Sequence, residues 1–230
     1  MKYDVVELFP TAVYVGNMDN HLIHKKVFLE NFEKYDFFPT PDLTVVSEAN
    51  GNPLLHLDDK FENIFLDIST HLKTYVRDVL LVKDVFDIFI TKSWISKATK
   101  AENDIRWHIH SPSHISFIYY LEYPDNSQVL KFLNKNRPNE LFDGLTTPND
   151  IPERMFIKDY NQYNCRTADF KMSEGSLVIF PSNLSHSISD AQSNFKGMRL
   201  AIVGDAILIL KDNQLENFCS FIHQKYWKQY

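Results

Sequence analysis

"RWHIHSPSHISFIYYLEY", residues 106–123, places three of the chain's nine histidines within seven positions. A polar opening gives way to an aromatic and β-branched run that favours a strand, roughly residues 113–123. His108 and His110 stand two apart, so on an extended backbone their side chains leave the same face. Together they can reach one metal ion, and a third ligand must then come from a distant part of the chain. His186 lies just past the apolar run "SLVIFP", and strand ends and their loops are where a rigid scaffold presents functional side chains. Three imidazoles leave positions open for water or a small ligand, and nitrogen ligands suit iron, zinc, copper and nickel alike. The same spacing also fits two polar residues on a solvated strand face, and local sequence leaves both readings open. His114 shares the parity of the pair, but Pro112 interrupts the extended backbone, which points His114 to a supporting or turn position. His21, His24, His56, His71 and His223 have no convergent partners in sequence and read as surface or capping residues.

Around this stretch the periodicity is mostly that of strands. "VFDIFITKSWIS" (85–96) precedes it, and "QVLKFL" follows a "YPDNSQ" turn that suits a hairpin. Gly175 opens the strand of "GSLVIFPSNLSHSI" and Pro181 closes it. "FKGMRLAIVGDAILIL" supplies one strand or a pair. Residues 3–15 alternate loosely around Pro10, as a strand, a turn and a second short strand. Residues 24–35 suit a helix. Between 57 and 80, Leu57, Phe61, Ile64, Phe65, Ile68, Leu72, Val76 and Val79 recur at helical spacing, a stripe made for packing. Residues 213–227 suit a closing helix. Residues 134–163 are the least periodic, and a loop of that length points to an active-site flap or a surface insertion. The expected organisation is one domain over 1–230: a strand and supporting helices in 1–84, a sheet core in 85–210, the insertion at 134–163 and the closing helix. The fold class is mainly β with flanking helices, as a largely antiparallel structure with two sheets face to face.

Composition narrows the function. The chain has 230 residues, enough for one sizeable core, and a formal net charge of -6 from 24 basic and 30 acidic residues. That balance argues against general nucleic-acid binding. Cys165 and Cys219 form no CxxC pattern, so neither a disulfide framework nor a sulfur zinc site is expected. No apolar run approaches the roughly 20 residues of a membrane span, and "MKYDVVELFPTAVYVG" lacks a signal-peptide pattern. The expectation is a soluble, intracellular protein without a nucleic-acid or membrane partner.

Two further residues carry chemistry. Arg199 opens the apolar run "LAIV". Inside a dry sheet interior it needs an anionic partner, and its guanidinium can clamp a carboxylate by two hydrogen bonds. The plainer reading is a solvated or structurally paired arginine. Tyr119 and Tyr120 face opposite ways on a strand, so one of them turns inward with a hydroxyl that needs a partner.

"WHIHSPSHISFIYYL", "GSLVIFPSNLSHSI" and "MRLAIV", together with the opening phrase "ELFPTAVYV" and the Trp-bearing "ITKSWIS", resemble the iron(II)- and 2-oxoglutarate-dependent oxygenases. The nearest group is the prolyl-hydroxylase-like oxygenases of bacteria and phages, and the resemblance spans about residues 7–206. It implies a double-stranded β-helix, also called a jelly roll and shared with cupins. It implies Fe(II) held by His108, His110 and His186, with 2-oxoglutarate bound by Arg199 and Tyr120, and with Trp94 and Leu184 lining or backing the pocket. It implies consumption of 2-oxoglutarate and molecular oxygen, with hydroxylation of a peptidyl side chain or a small molecule, in the cytoplasm or in a host's cytoplasm if phage-encoded. His110 departs from the family, where an Asp or Glu usually stands. Asp104 and Asp205 are the nearby acids that can compensate. A different alignment makes His110 the first ligand, with His114 or a second acid completing the set, but it breaks the two-residue spacing. The alternatives are a three-histidine metal dioxygenase of another type, without 2-oxoglutarate, and a non-catalytic jelly-roll binding or structural protein.

Overall fold

The computed structural model describes residues 2–31, 35, 37–39, 45–46, 54–99, 104–142, 144–145, 156–189, 194–212 and 221–229. The helical stripe forms α2 (Glu62–Thr74), preceded by a short 3-10 turn at Asp59–Phe61. Ile64, Phe65, Ile68 and Leu72 fall three and four apart and bury one face. The last turn widens to a π-helical one, Tyr75–Val79, which puts Tyr75 and Val76 side by side in the core. That widening turns Val79 out, and Leu57 lies in a separate 3-10 turn facing solvent, so the stripe is shorter than its spacing suggests. The earlier helix, α1 (His21–Leu29), begins three residues before the expected start.

The strands form two antiparallel sheets. The larger has the order β1-β9-β6-β11-β4-β3-β2 and the smaller β5-β10-β7-β8. In chain order the strands are β1 (Tyr14–Asn17), β2 (Phe38–Pro39), β3 (Val45–Val46), β4 (Phe86–Ala98), β5 (Ile105–His108), β6 (Ile115–Glu122) and β7 (Val129–Leu133). They continue with β8 (Thr167–Phe170), β9 (Ser176–Pro181), β10 (His186–Ser189) and β11 (Arg199–Leu210). The expected hairpin through "YPDNSQ" does not form, because β6 pairs with β9 and β11 while β7 pairs with β8 and β10. The turn, closed by Ser127 N–H to Pro124 O at 3.2 Å, carries the chain from one sheet to the other. Only one strand, β1, forms within 3–15. Residues 2–13 have no regular structure, and Tyr3, Val6, Leu8 and Phe9 point outward without a strand to pair with. Residues 213–220 lie outside the described residues. Of the rest of the expected closing helix only a short 3-10 turn, Gln224–Tyr226, is present. No described helix is long and apolar enough to cross a membrane.

Strand parity divides the interior in two. Phe117, Tyr119, Leu177, Ile179, Leu200 and Ile202 face α1 and α2 in one buried cluster. Their neighbours Ile118, Tyr120, Val178, Phe180, Ala201 and Val203 face the small sheet, where they meet Leu130, Phe132 and Ile188. The layers are therefore helices, large sheet and small sheet. A register shift between Asp205 and Ala206 leaves Thr91 as an extra residue on β4. Such a bulge reverses side-chain parity: Trp94 faces the small sheet, while Ile88 and Ile90 face the helices. Gly204 is required beside it, because a Cβ there would lie 2.3 Å from Phe117 Cζ and 2.8 Å from Lys92 O.

Candidate metal centre

His186 opens β10 and stands directly opposite His108, the last residue of β5. Cross-strand neighbours on one face touch, and these two ring centroids are 4.2 Å apart. The strand ends at His108, so His110 arrives from the turn rather than by strand parity. Its N–H bonds Ser182 O at 2.9 Å, which fixes that turn against the end of β9. The His110 ring then lies 5.2 Å from His108 and 5.0 Å from His186. One ring nitrogen from each of the three falls within 4.8 Å of the others, and the Nε2 atoms of His108 and His110 are 3.2 Å apart.

The outer nitrogens orient the rings. His108 Nδ1 lies 2.7 Å from Arg106 O, and His186 Nδ1 lies 3.0 Å from Leu184 O. A carbonyl oxygen only accepts, so each Nδ1 donates, and Nε2 is the nitrogen left to face a metal. His110 Nδ1 donates at 2.6 Å to Oδ1 of Asp205, which is 1% exposed. Ser116 Oγ donates to the same oxygen at 2.7 Å and lies 2.9 Å from Ser182 Oγ. Lys92 Nζ is 3.7 Å from Asp205 Oδ2. Burial, then the neighbouring His108, push the His186 imidazole down to about 3, so it stays neutral. Burial raises the Asp205 carboxyl, but the hydrogen bond and charge of His110 outweigh it and hold the pKa below its ordinary value. Three converging imidazoles, oriented from behind by oxygen acceptors, make a group that could hold a metal ion.

Arg199 begins β11 and faces the small sheet, as Asp205 does. It is 2% exposed, and among the described residues neither Nη1 nor Nη2 has a hydrogen-bond partner. Tyr120, 1% exposed on the adjacent strand, leaves its hydroxyl equally unpartnered. Burial lowers the Arg199 pKa, with Tyr120, Tyr123 and Asp104 acting against it, and burial raises that of Tyr120. A buried cation and phenol left unsatisfied carry a large desolvation cost. A small carboxylate entering between the sheets would satisfy both, so the residues fit a dicarboxylate such as 2-oxoglutarate. Tyr119 turns to the helices instead and bonds His21 Nδ1 at 2.8 Å.

The remaining expectations divide. The Trp94 ring lies tilted, 5.5 Å from the His110 ring, and Leu184 packs against the cluster between the sheets. His114 is no ligand: its Nδ1 accepts Leu208 N–H at 3.0 Å, and its ring stacks on Phe221. Asp104 meets Gln128 Nε2 at 3.4 Å, on the Arg199 side of the interior, and Asp205 is the acid behind the histidines. His24 is buried and pairs with Asp67 at 3.1 Å, and His56, partly buried, bonds Ser93, so these two are interior anchors rather than surface residues. Sequence reasoning passed over Ser116 and Ser182. Their signal was a small polar residue inside the apolar strand β6 and another just past the end of β9.

Comparison with known proteins settles the family. The model described as "Putative 2OG-Fe(II) oxygenase" matches residues 92–205, a span that holds all three histidines, Tyr120 and Arg199. The chain belongs to the iron(II)/2-oxoglutarate oxygenase superfamily. It is a metal-dependent oxygenase-type enzyme, related to the prolyl-hydroxylase-like oxygenases of bacteria and phages. No curated protein matches the sequence. A Pseudomonas putida prolyl-4-hydroxylase shares the fold at 12% identity and a TM-score of 0.53, over 86% of this chain and 92% of that one. HygX from Streptomyces hygroscopicus, solved with nickel, 2-oxoglutarate and hygromycin B, aligns at 15% identity and 0.52, over 85% and 82%. AviO1 from Streptomyces viridochromogenes aligns at 10% and 0.53, over 86% and 90%. The clustered histidines include no carboxylate, so as a candidate metal site they fit an atypical three-histidine set.

Proposed function

We propose that this enzyme holds iron(II) with His108, His110 and His186, takes 2-oxoglutarate on Arg199 and Tyr120, and hydroxylates a peptidyl side chain or a small molecule. The observation that carries the co-substrate is the buried, unpartnered guanidinium of Arg199 beside the unpartnered Tyr120 hydroxyl. The two sheets are read as the two faces of a double-stranded β-helix, since from β4 to β11 the chain alternates between them except at β7–β8. The chain is read as one domain with its sheet core in 85–210, and 134–163 as an insertion between β7 and β8. Residues 143 and 146–155 of that insertion lie outside the described residues, so the expected flap has no structural account. A cytoplasmic location, in a host if phage-encoded, fits the composition.

When bound, iron(II) and 2-oxoglutarate supply the oxidising power to place one atom of O2 in a C–H bond, with succinate and CO2 as the other products. This chain's residues do the rest. The three Nε2 atoms present one face of donors. Arg199 and Tyr120 grip the far carboxylate and so fix how the near end is offered to that face. Phe132 and Phe180, with rings 6.2 and 4.7 Å from His186, keep water from the inner side. The nickel- and 2-oxoglutarate-bound HygX supports the same pairing of metal and co-substrate on this fold.

A second reading has its own support. Three neutral ligands leave the metal with more positive charge than a carboxylate triad does, which favours a three-histidine dioxygenase that works without 2-oxoglutarate. Anaerobic titration with iron(II) and then 2-oxoglutarate separates the two. A weak visible charge-transfer band on adding 2-oxoglutarate is expected, and it should need Arg199: Arg199→Ala should bind the metal normally and the co-substrate poorly. Tight metal binding with no response to 2-oxoglutarate would select the second reading.

A further inference from the structure

Asp205 is the one carboxylate residue in the fully buried set among the described residues. Its neighbours account for its place only in part. Among the described residues Lys92 is the lysine paired with it, but it stands 3.7 Å away with a third of its side chain exposed. The close partners are His110 Nδ1 at 2.6 Å and Ser116 Oγ at 2.7 Å. The other two histidines of the cluster donate instead to neutral backbone carbonyls. One imidazole of three is therefore backed by a full negative charge, and it is the one at the position of the usual carboxylate ligand.

A divalent ion held by three neutral imidazoles in a partly dry interior lacks the charge that a carboxylate ligand brings. A carboxylate behind a ligating histidine makes that histidine a stronger donor and holds its ring in place. We propose that Asp205 is a positioning residue that supplies, through His110, the negative charge a carboxylate ligand supplies in the usual triad. The charge has moved one imidazole outward instead of being lost. Local geometry supports that placement. Asp205 sits at the β-bulge of β11 and β4, next to the Gly204 that admits the close approach of Phe117. Ser116, itself bonded to Ser182, closes the other side of its Oδ1. The inference rests on the three-histidine reading above.

The test is anaerobic titration of the metal-free protein with Co(II), following the visible d–d bands and measuring affinity against a chelator. Asp205→Asn keeps the shape and removes the charge, and it should bind Co(II) about 10- to 100-fold more weakly with altered bands. Adding His110→Asp to Asp205→Asn returns the carboxylate to the metal and should recover most of that loss. A residue that only braces the strand would lower the melting temperature and leave the Co(II) affinity of the folded protein unchanged. Asp205→Asn within about twofold of the parent therefore overturns the proposal. Should Asp205→Asn not fold, Lys92→Gln decides. Removing this partly exposed cation should tighten Co(II) binding by roughly two- to tenfold, and unchanged or weaker binding overturns the proposal. A parent that binds no Co(II) removes the three-histidine reading and this inference together. A parent that binds while Asp205→Asn binds equally removes this inference alone.

Discussion

The two faces of the large sheet bury side chains to similar depth and for different ends. Towards the helices, Phe61, Phe117, Ile68, Leu72 and Ile202 make an apolar core. Histidines stand at its margin, each with a ring nitrogen bonded or paired to a neighbour: His21 to Tyr119, His24 to Asp67, His56 to Ser93, His71 to Tyr14. Towards the small sheet, the same strands bury Arg199, Tyr120, Asp205 and Ser116 among Val203, Phe180 and Phe132. Apolar burial stabilises folding on both faces. Among the described residues, only the second face holds a cation and a phenol with nothing to bind them, an arrangement that costs stability unless a ligand arrives. One face serves the fold, and the other gives up part of its stability to the site.

Substitutions can break or sharpen that contrast. Phe117→Ala on the helix face should cost about 3–5 kcal/mol in chemical denaturation, with Co(II) affinity in the surviving folded protein unchanged. A selective loss of metal binding would show that the faces are not separate. Arg199→Met on the other face should leave stability unchanged or raise it, while 2-oxoglutarate affinity, read by calorimetry, falls about 100-fold. Marked destabilisation would mean Arg199 serves the fold. Gly204→Ala, where the faces meet, forces a Cβ against Phe117 and Lys92 O. It should cost about 1–3 kcal/mol and weaken metal binding as well, because Asp205 moves with it.

Acid provides a further test. His186 is held neutral when folded, its pKa pushed from 6.5 to about 3. The unfolded chain therefore takes up the proton first. Stability of the metal-free protein should fall as pH drops from 6.5 towards 3, by at most about 1.4 kcal/mol per unit for this one group. His24 and His56, lowered chiefly by burial, add to the slope from the helix face. His186→Gln should flatten the denaturation profile in that window, and an unchanged slope would place its origin on the helix face.

Much of the candidate site was legible in local sequence, although His110 joins the cluster from a turn and not by the strand parity its spacing implied. His108 and His110 two apart, His186 at a strand end, Arg199 heading an apolar strand and Tyr120 opposite Tyr119 in parity all came from sequence. The layers also followed from period, with α2 and the long strands β4, β6 and β11 clearest. What stayed hidden depends on tertiary partners. Residues 2–13 look like strand but have no edge to join. The "YPDNSQ" turn looks like a hairpin, but its flanking strands belong to different sheets. β10 spans only four residues and starts on His186 itself, too short for periodicity to register. Asp205 was one of two acids in view. An acid in the apolar run "VGDAILIL", an even six residues from Arg199, carried the signal, but only the fold brings it to His110.

The central claim is that this oxygenase binds its metal through three histidines with the carboxylate one step behind. The most direct measurement is a crystal structure of the metal-loaded protein. The expected result is one metal with Nε2 of His108, His110 and His186 at about 2.0–2.2 Å, and Asp205 still bonded to His110 Nδ1. A metal bound directly to Asp205 or another carboxylate, or no metal among the three histidines, would contradict it.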